Sequence, residues 1–482
     1  VDDLAYDVIE MYENSDKENI IKAMLEKYKD IPEITAEEIS DCYDDVTELK
    51  DNGKLFTADK YEDLAFDFKK RNTVIKALCL HIAHTCNLNC EYCFASQGKY
   101  HGDRALMSFE VGKRAIDFLI ENSGSRVNLE VDFFGGEPLM NWHVVQQTVD
   151  YVHNQEKKHH KKIKMSLTTN GMLLDEEKTK YLTDNHISLI LSLDGRKEMH
   201  DRMRPDVNNE GTYDQIVKNL QYCIAHRNGE EYYVRGTFTR HNLDFTTDVE
   251  DMLDHGFPAV SMEPVVGDDS AKYSIKESDL PRVKEEYDRL AQLFIQREEE
   301  GRPFFFFHFN MDLWKGPCLP KRLRGCGAGH EYLAVVPNGD IYPCHQFVGR
   351  EGYVVGNVYE GLKNMKMMHD FRMNHVFSKP ECVDCWAKFF CSGGCHANNE
   401  AYAGDIIGVF DPGIFSIGDT LCSPSKKFRF EGIPTFAPEH FARVRPVDTM
   451  KRKQFVKGVT QIAQEGAIQV FKENHVGMEE II

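Results

Sequence analysis

Residues 86–93 read CNLNCEYC and place Cys86, Cys90 and Cys93 in a C-x3-C-x2-C array on one short loop. The loop follows the apolar run ALCLHIAHT, which is typical of a buried strand. Three thiolates at this spacing can hold three irons of a [4Fe–4S] cube, which normally takes four ligands. The fourth iron would then be open to a small molecule. A zinc site is the alternative, and it would need a fourth ligand such as His81 or His84.

This loop resembles the signature of the radical S-adenosylmethionine (SAM) enzymes. In that family the open iron binds the amino and carboxylate groups of the methionine moiety of SAM, and reduction yields a 5′-deoxyadenosyl radical. The resemblance implies that Cys86, Cys90 and Cys93 carry the catalytic cluster. It also implies that Tyr92 lies beside the adenine ring.

Length, charge and cysteine content restrict the class of protein. The chain has 482 residues, which predicts about three domains. A formal net charge of −20 argues against nonspecific binding to nucleic acid. No apolar run is long enough for a membrane span and no secretory signal is recognisable, so we expect a cytoplasmic protein without a membrane partner. Ten of the 14 cysteines fall in two regions, 86–93 and 318–395, as metal ligands would.

Residues 1–70 predict a small helical module. Three segments carry apolar positions at helical spacing, and Asn52-Gly53 is expected to end the third. The module is either a helical cap on the main domain or a winged-helix-like reader of leader peptides. Readers of that kind begin with strands to which a peptide adds a further strand. No strand pattern precedes Asp2, so we expect a truncated reader.

Residues 74–310 predict an α/β domain built as a partial (β/α)6 barrel. Six apolar, β-rich runs alternate with amphipathic helical segments, which indicates a parallel sheet with helices outside it. The cysteine loop ends the first of these strands, where chemistry collects in such barrels. The six predicted strands are KALCLHIAH, NLEVDFFGG, KMSLTTNG, SLILSLDG, YYVRGTFT and AVSMEPVV.

The second predicted strand ends in Gly135-Gly136-Glu137-Pro138. Two glycines let the backbone approach a ligand closely, and Glu137 can accept a hydrogen bond from an ammonium group. In radical SAM proteins this GGEP segment contacts the amino group of SAM. The alternative is a turn that requires glycine for its conformation.

Polar residues also end the following strands. Asn170 follows the third strand and Ser192 closes the fourth, and the resemblance implies that they meet the ribose hydroxyls, Ser192 being the better candidate. Arg235 on the fifth strand is expected to bind the SAM carboxylate as a bidentate donor. The segment HDRMRP at 200–205 resembles one found in peptide-modifying members of the family, and we assign it only to the edge of the active site.

A second cysteine field covers residues 318–395. Its spacing combines C-x(9–15)-G-x4-C with C-x2-C-x5-C-x3-C, and a zinc ribbon is the alternative to iron. The pattern resembles the SPASM extension, here residues 316–404, which carries two auxiliary [4Fe–4S] clusters. The resemblance assigns Cys326, Cys344 and Cys395 to the first cluster, with Cys318 as the candidate fourth ligand. The alternative is an iron with a vacant site that holds the thiolate of the peptide. The second cluster would use Cys382, Cys385, Cys391 and one later cysteine.

The chain resembles the maturases of SCIFF peptides (six cysteines in forty-five residues). The resemblance rests on the cysteine loop, the GGEP segment and two motifs of the second cysteine field, GCGAGHEYLAVVPNGDIYPCHQFVG and KPECVDCWAKFFCSGGCHAN. That family joins a peptide cysteine to a carbon atom through a thioether: the deoxyadenosyl radical removes a hydrogen, sulfur bonds to the carbon, and an auxiliary cluster takes the surplus electron. The implied partners are a cysteine-rich precursor peptide and a reductant such as flavodoxin or ferredoxin. The alternatives are a maturase that makes formylglycine or a carbon–carbon link, and an inactive cluster-binding chimera.

The resemblance to these maturases ends near Gly404-Asp405. A family cysteine is expected about nine residues after the aspartate, but position 414 is Ile, so we expect impaired loading of the second auxiliary cluster unless Cys422 replaces it. Residues 405–482 instead resemble an internal piece of the GTPase release factor of bacterial translation termination. The chain has no P-loop, so no GTPase activity is implied. We interpret the tail as a fusion of unrelated coding sequence.

Overall fold

A computed structural model gives the structure of the chain. It describes residues 2–29, 31–58, 74–266, 270–310 and 322–397, together with 443–444, 453, 455, 457–459, 471–472 and 480–481. The chain divides into two compact units, Val1–Ala403 and Gly404–Ile482. Cys318, Ile414 and Cys422 lie outside the described residues, so the predictions made for them stay predictions.

The first unit begins with three helices, α1 (Asp3–Tyr12), α2 (Lys17–Lys27) and α3 (Ala36–Asp51). The side chains of Asp2, Asp16 and Thr35 cap them by accepting from backbone N–H groups of the first turn. The predicted third helix ends where the sequence indicated, because Asn52 caps it and Gly53 has φ +64°. Val8, Ile20, Ile39 and Val46 are among the buried residues that form the core of this module.

Six parallel strands form the centre of the sheet, in the six places that the sequence predicts. They are β1 (Ala77–His84), β3 (Asn128–Gly135), β4 (Lys162–Thr169), β5 (Ser188–Ser192), β6 (Tyr232–Phe238) and β7 (Ala259–Pro264). They pair in chain order, which is the α/β arrangement expected of a partial barrel. Two short strands add to them: β2 (Ala105–Leu106) pairs antiparallel with β1, and β8 (Phe305–Phe306) pairs parallel with β7.

Helices cover one face of this sheet. They are α4 (Phe109–Asn122), α5 (Trp142–His159), α6 (Glu176–Asp184), α7 (Lys197–Met203), α8 (Tyr213–Ala225), α9 (Phe245–Asp254) and α10 (Leu280–Glu299). On β3, Leu129, Val131 and Phe133 are buried on the helix side. The alternate residues, such as Glu130 and Asp132, line a cavity of about 560 Å³ on the other face. The sheet therefore has an apolar outer face and a polar inner face, which we call the lumen.

The sheet continues past β1 into the second cysteine field. There β9 (Tyr332–Val335) pairs parallel with β1, and β10 (Asp340–Tyr342), β11 (Gly356–Asn357) and β12 (Gly361–Leu362) follow it in antiparallel order. Three short helices complete the field: α11 (Met365–Met373), α12 (Pro380–Val383) and α13 (Lys388–Cys391). The sequence did not predict that one continuous sheet would join the two cysteine regions.

The second unit contains a small antiparallel sheet. Its strands are β13 (Arg443–Val444), β14 (Phe471–Lys472) and β15 (Glu480–Ile481), with β15 in the middle. Across the described part of both units, no helix combines the length and the apolar character that a membrane span requires.

Candidate active site at the cysteine loop

The three cysteines of the loop line one cavity of about 140 Å³ at the carboxyl end of the sheet. The ends of β3, β4 and β5 form its other walls. Seven of the residues that the sequence predicted for this site line the cavity: Cys86, Cys90, Cys93, Gly135, Gly136, Asn170 and Ser192. The structure thus brings together side chains that lie up to a hundred residues apart in the chain, because parallel strands end at the same edge.

Backbone hydrogen bonds hold the loop against the segment at 203–206. Asn89 N donates to Pro205 O at 2.8 Å, and Glu91 N donates to Met203 O at 2.9 Å. Leu88 and Asp206 form an antiparallel bridge beside them. The HDRMRP segment, to which the sequence assigned only an edge position, therefore fixes the conformation of the cysteine loop.

Close backbone contacts explain the glycines around the cavity. A Cβ on Gly136 would lie 2.2 Å from Thr85 O, and one on Gly135 would lie 2.4 Å from Ala83 O. Gly98 has φ +83°, and a Cβ there would lie 3.1 Å from Cys86 Cβ. The glycines therefore allow the GGEP turn to pack directly against the start of the cysteine loop.

Two of the loop cysteines, Cys86 and Cys90, are half-buried thiols with raised pKa values. Burial raises the pKa of Cys86 to about 12, and burial raises the pKa of Cys90 to about 11 although Arg204 lowers it. A thiolate nucleophile needs the opposite shift. Leu88 N donates to Cys86 Sγ at 3.4 Å, which is a contact that suits a metal-bound thiolate. Metal binding would deprotonate these thiols and use them as ligands.

Glu137 faces the interior of the protein rather than the cavity. Its Oε1 accepts from Leu139 N at 3.0 Å and Thr169 Oγ1 at 2.9 Å, and its Oε2 accepts from Asn170 N at 2.8 Å. Burial raises the pKa of Glu137 to about 7, even though these three donors lower it. The carboxyl group thus ties the ends of β3 and β4 together, and its contact with an ammonium group stays a prediction.

Asn170 is oriented toward the first cysteine. Its Nδ2 donates to Asn87 Oδ1 at 2.8 Å and lies 3.7 Å from Cys86 Sγ, while its Oδ1 accepts from Met172 N at 3.0 Å. The side chain therefore has a fixed position on the cavity wall. This amide lies close enough to the cysteine to contact whatever the sulfur holds.

A buried polar network that the sequence did not predict lies behind the loop. Asp194 Oδ2 accepts from Tyr92 Oη at 2.6 Å, and Arg204 Nη1 donates to the same hydroxyl at 3.2 Å. Thr237 N donates to Asp194 Oδ1 at 3.0 Å. Burial raises the pKa of Asp194, although Arg204 and Tyr92 lower it. The network fixes Tyr92 through its hydroxyl, and Tyr92 itself is outside the cavity lining.

Arg204 is the cation of the cavity wall. It is only 7% exposed, and its Nε has no hydrogen-bond partner. A buried guanidinium with a free N–H is prepared to bind an anion. In the sequence, Arg204 is the second arginine of the HDRMRP segment. The local sequence did not indicate that its side chain would line the cavity.

Comparison with known families decides the class of this site. The model described as "Radical SAM superfamily" matches residues 80–239, which include the cavity walls from β1 to β6. This part of the chain is therefore similar to the radical SAM superfamily. The SPASM model, described as an iron-sulfur cluster-binding domain, matches residues 326–386. The two domains imply [4Fe–4S] clusters as cofactors.

Solved structures with the same fold include two proteins that were crystallised with S-adenosylmethionine. The structure "Native anSMEcpe with bound AdoMet" is 21% identical with a TM-score of 0.56, over 67% of this chain and 90% of that one. Streptococcus suis SuiB bound to S-adenosylmethionine is 17% identical with a TM-score of 0.50, over 79% of this chain and 84% of that one. At this identity the likeness establishes the fold, and it confirms the predicted α/β class.

The tail matches a different family. Residues 430–482 match the C-terminal domain of the class II release factor RF3. Peptide chain release factor 3 of Symbiobacterium thermophilum is 65% identical over 78 residues. That match covers 16% of this chain and 15% of the release factor, so the chain spans about a seventh of the curated relative. The predicted resemblance of the tail to a release factor is confirmed at the level of this domain.

The lumen of the radical SAM domain carries a charged cluster at the ends of β6 and β7. His308 Nε2 lies 3.0 Å from Glu263 Oε2, and His308 Nδ1 lies 3.1 Å from Tyr287 Oη. Ser261 Oγ donates to Glu263 Oε1 at 2.7 Å. Arg235 pairs in register with Ser192 and with Ser261 on the neighbouring strands, but it does not line the smaller cavity. Its predicted contact with a carboxylate therefore stays a prediction.

We expect Glu263→Gln to lower the free energy of unfolding at pH 7 by about 2 kcal/mol. Burial alone would raise the pKa of Glu263, but hydrogen bonds from His308 and Ser261 lower it to about 2. Because the folded-state pKa is depressed, this stabilisation is present above the unfolded pKa of about 4.3 and is lost as the pH falls toward 2. Denaturant titrations of both proteins should show their difference shrinking between about pH 5 and pH 3. If the difference in free energy of unfolding between the two proteins does not change over this pH range, the lowered pKa of Glu263 is wrong.

The two histidines of the zinc alternative do not reach the cysteine cavity. His81 Nδ1 lies 3.1 Å from His84 Nε2, and both rings pack against Tyr100. Neither histidine lines the cavity. Within the described ranges, no three histidine, cysteine, aspartate or glutamate groups converge on a single metal ion. Cluster cysteines each bind a different iron, so a cluster does not require such convergence.

Electrostatic effects link several of the SPASM cysteines. Burial raises the pKa of Cys344 to about 12, and the charges of Cys326 and Cys395 raise it further. Burial also raises the pKa of Cys382, Lys379 lowers it, and Cys391 and Cys385 raise it. The predicted division of these cysteines into two auxiliary clusters stays a prediction, and so does the assignment of each cysteine to a cluster.

Proposed function

We propose that this protein is a radical SAM peptide maturase that forms thioether cross-links in a cysteine-rich precursor peptide. The observation that carries the proposal is the single cavity lined by Cys86, Cys90 and Cys93, with the GGEP turn, Asn170 and Ser192 as its other walls. The SPASM match and the clustered cysteines beyond residue 318 supply a second iron–sulfur region. The structure "Native anSMEcpe with bound AdoMet and Kp18Cys peptide" supports a peptide as the substrate class.

The loop cysteines are suited to holding a [4Fe–4S] cluster. Glycines form a cradle that a Cβ would fill, and a backbone N–H already points at Cys86 Sγ. When bound and reduced, this cofactor supplies the electron that cleaves SAM to a 5′-deoxyadenosyl radical. The protein contributes binding and orientation, and it excludes water from the site.

We assign different groups of SAM to different residues of the cavity wall. We assign the ribose hydroxyls to Ser192 and Asn170, and the ammonium group to the GGEP turn. Glu137 retains one carboxylate lone pair beyond its three internal hydrogen bonds. For the carboxylate, Arg204 has the stronger claim than Arg235, because Arg204 lines the cavity and Arg235 does not. Arg204 Nη1 is already paired with Tyr92 and Asp194.

Anaerobic incubation with a cysteine-rich peptide, SAM and dithionite tests this function. We expect a product that is lighter by two hydrogens, with one thiol fewer available for alkylation. A product lighter by two hydrogens with every thiol still reactive would indicate a carbon–carbon link, and loss of sulfur would indicate formylglycine. Either result would overturn the thioether proposal. Formation of 5′-deoxyadenosine without any peptide product would also contradict it.

We also propose the predicted domain plan: a truncated peptide-recognition module at 1–70, the radical SAM domain at 74–310, the SPASM domain at 316–404 and a foreign tail at 405–482. The three helices of the N-terminal module support its independence, since they share a core of their own. Flavodoxin or ferredoxin is the reductant we expect in the cell.

A further inference from the structure

His396 is a buried histidine whose ring has no hydrogen-bond partner. It is 3% exposed, and neither Nδ1 nor Nε2 makes a hydrogen bond. An imidazole carries at least one N–H in either protonation state, and buried N–H groups almost always have an acceptor. The described residues therefore leave room for an acceptor beside the His396 ring that they do not themselves supply.

Within the described part of the chain, the groups that act on His396 are an aromatic ring and two cations. Its ring centroid lies 6.0 Å from that of Phe371, and the charges that act on it are those of the cations Lys379 and Arg324. Lys379 Nζ donates to Gly393 O, and Arg324 Nη1 donates to Arg372 O at 3.3 Å. Cations donate hydrogen bonds and cannot accept one from a ring N–H.

The sulfur ligands of the first auxiliary site lie in the same place. Cys395 precedes His396 in the chain, and Cys344 shares a small buried cluster with Phe371 and Ala397. Cys326 and Cys395 both act on the pKa of Cys344. The acceptors that this region would gain on loading are therefore the thiolate and sulfide sulfurs of an iron–sulfur cluster.

We propose that His396 donates a hydrogen bond from its ring N–H to a sulfur of the first auxiliary cluster and thereby raises its reduction potential. Reduction adds negative charge to the sulfurs, so a donor stabilises the reduced form more than the oxidised form. His396 is thus a positioning and tuning residue for electron transfer at this site. The inference rests on the cofactor that the SPASM domain implies and is independent of the peptide substrate.

Replacement of His396 tests the proposal through the potential of the cluster. In a background with the three loop cysteines and Cys382 changed to alanine, His396→Leu should lower the ratio of reduced to oxidised cluster at a fixed potential roughly tenfold, equivalent to about 59 mV for one electron. His396→Gln keeps an N–H donor and should recover part of this loss. The measurement is a potentiometric titration followed by electron paramagnetic resonance, without SAM or peptide.

The matched control is His330→Leu. His330 is 2% exposed in the same domain, but its Nδ1 already lies 3.0 Å from Ala328 O. We expect this variant to leave the potential near that of the parent protein. An equal shift in both leucine variants, or none in His396→Leu, would overturn the proposal.

If a His396 variant does not load iron, the potential cannot be compared. A second measurement therefore uses the protein that retains His396. With 15N-labelled histidine, pulsed spectroscopy of the reduced cluster should show a weak nitrogen coupling that disappears in His396→Gln and persists in His330→Leu. A strong coupling of a directly bound nitrogen would make His396 a ligand and overturn the hydrogen-bond assignment. The absence of any histidine coupling would overturn it as well.

Discussion

Cys90→Ala is expected to reduce the formation of 5′-deoxyadenosine to the background of protein-free SAM. Cys90 lines the cavity and is one of three sulfurs available to hold the cluster there. With two ligands left on the loop, the cluster would lose the site that fixes it beside the SAM-binding walls. The assay is anaerobic incubation of reconstituted, dithionite-reduced protein with SAM, followed by chromatography.

Cys223→Ala is the control for this experiment. Cys223 is fully buried within α8 and has no role in the cavity, so it serves as a small apolar side chain. The variant should lose about 1 kcal/mol of stability and keep its SAM cleavage. Full turnover in Cys90→Ala would show that the loop is not the catalytic centre.

Gly136→Ala is expected to lower the free energy of unfolding by about 3 kcal/mol, at the upper end of the cost of overpacking. The added Cβ would lie 2.2 Å from Thr85 O and 2.6 Å from Thr85 C, and backbone atoms cannot move aside as a flexible side chain does. Because Gly136 N also donates to Ala83 O at 2.7 Å, the displacement would shift the GGEP turn away from β1. SAM binding should fall together with stability.

Gly102→Ala separates this effect from a general cost of replacing glycine. The nearest atom to a Cβ at Gly102 is Lys99 O at 3.7 Å, an ordinary contact distance. We expect chemical denaturation to place this variant within about 0.5 kcal/mol of the parent protein. Equal stability of the two alanine variants would show that the close approach of the GGEP turn to the cysteine loop is wrong.

Local patterns in the sequence were enough to predict the strands and the cysteine loop. The run before Cys86 is continuously apolar, and β1 is buried along its whole length. Polar and apolar residues alternate in KIKMSLTT, and in the structure the exposed or half-buried residues of β4 alternate with the buried ones in the same way. Parallel strands end at one edge of the sheet, which favours a common cavity for the strand-end residues Asn170 and Ser192 and the cysteines. The family resemblance indicated these two residues in particular.

Contacts between distant segments could not be predicted in this way. Tyr92 and Asp194 are 102 positions apart in the chain, yet one hydrogen bond of 2.6 Å joins them. The pairing of β9 with β1 joins residues about 255 positions apart. The carboxyl group of Glu137 accepts hydrogen bonds from Leu139, Thr169 and Asn170, which the sequence did not indicate. Such placements depend on packing, which spacing along the chain does not record.

We propose that the cluster held by Cys86, Cys90 and Cys93 keeps one iron open for SAM. Pulsed paramagnetic resonance of the reduced protein, with SAM labelled with 15N at its amino group, tests this open iron directly. We expect a strong nitrogen coupling that persists when Cys326 and Cys382 are replaced by alanine and disappears in Cys90→Ala. No coupling in the fully loaded protein, or one that survives without Cys90, would contradict an open iron at this loop.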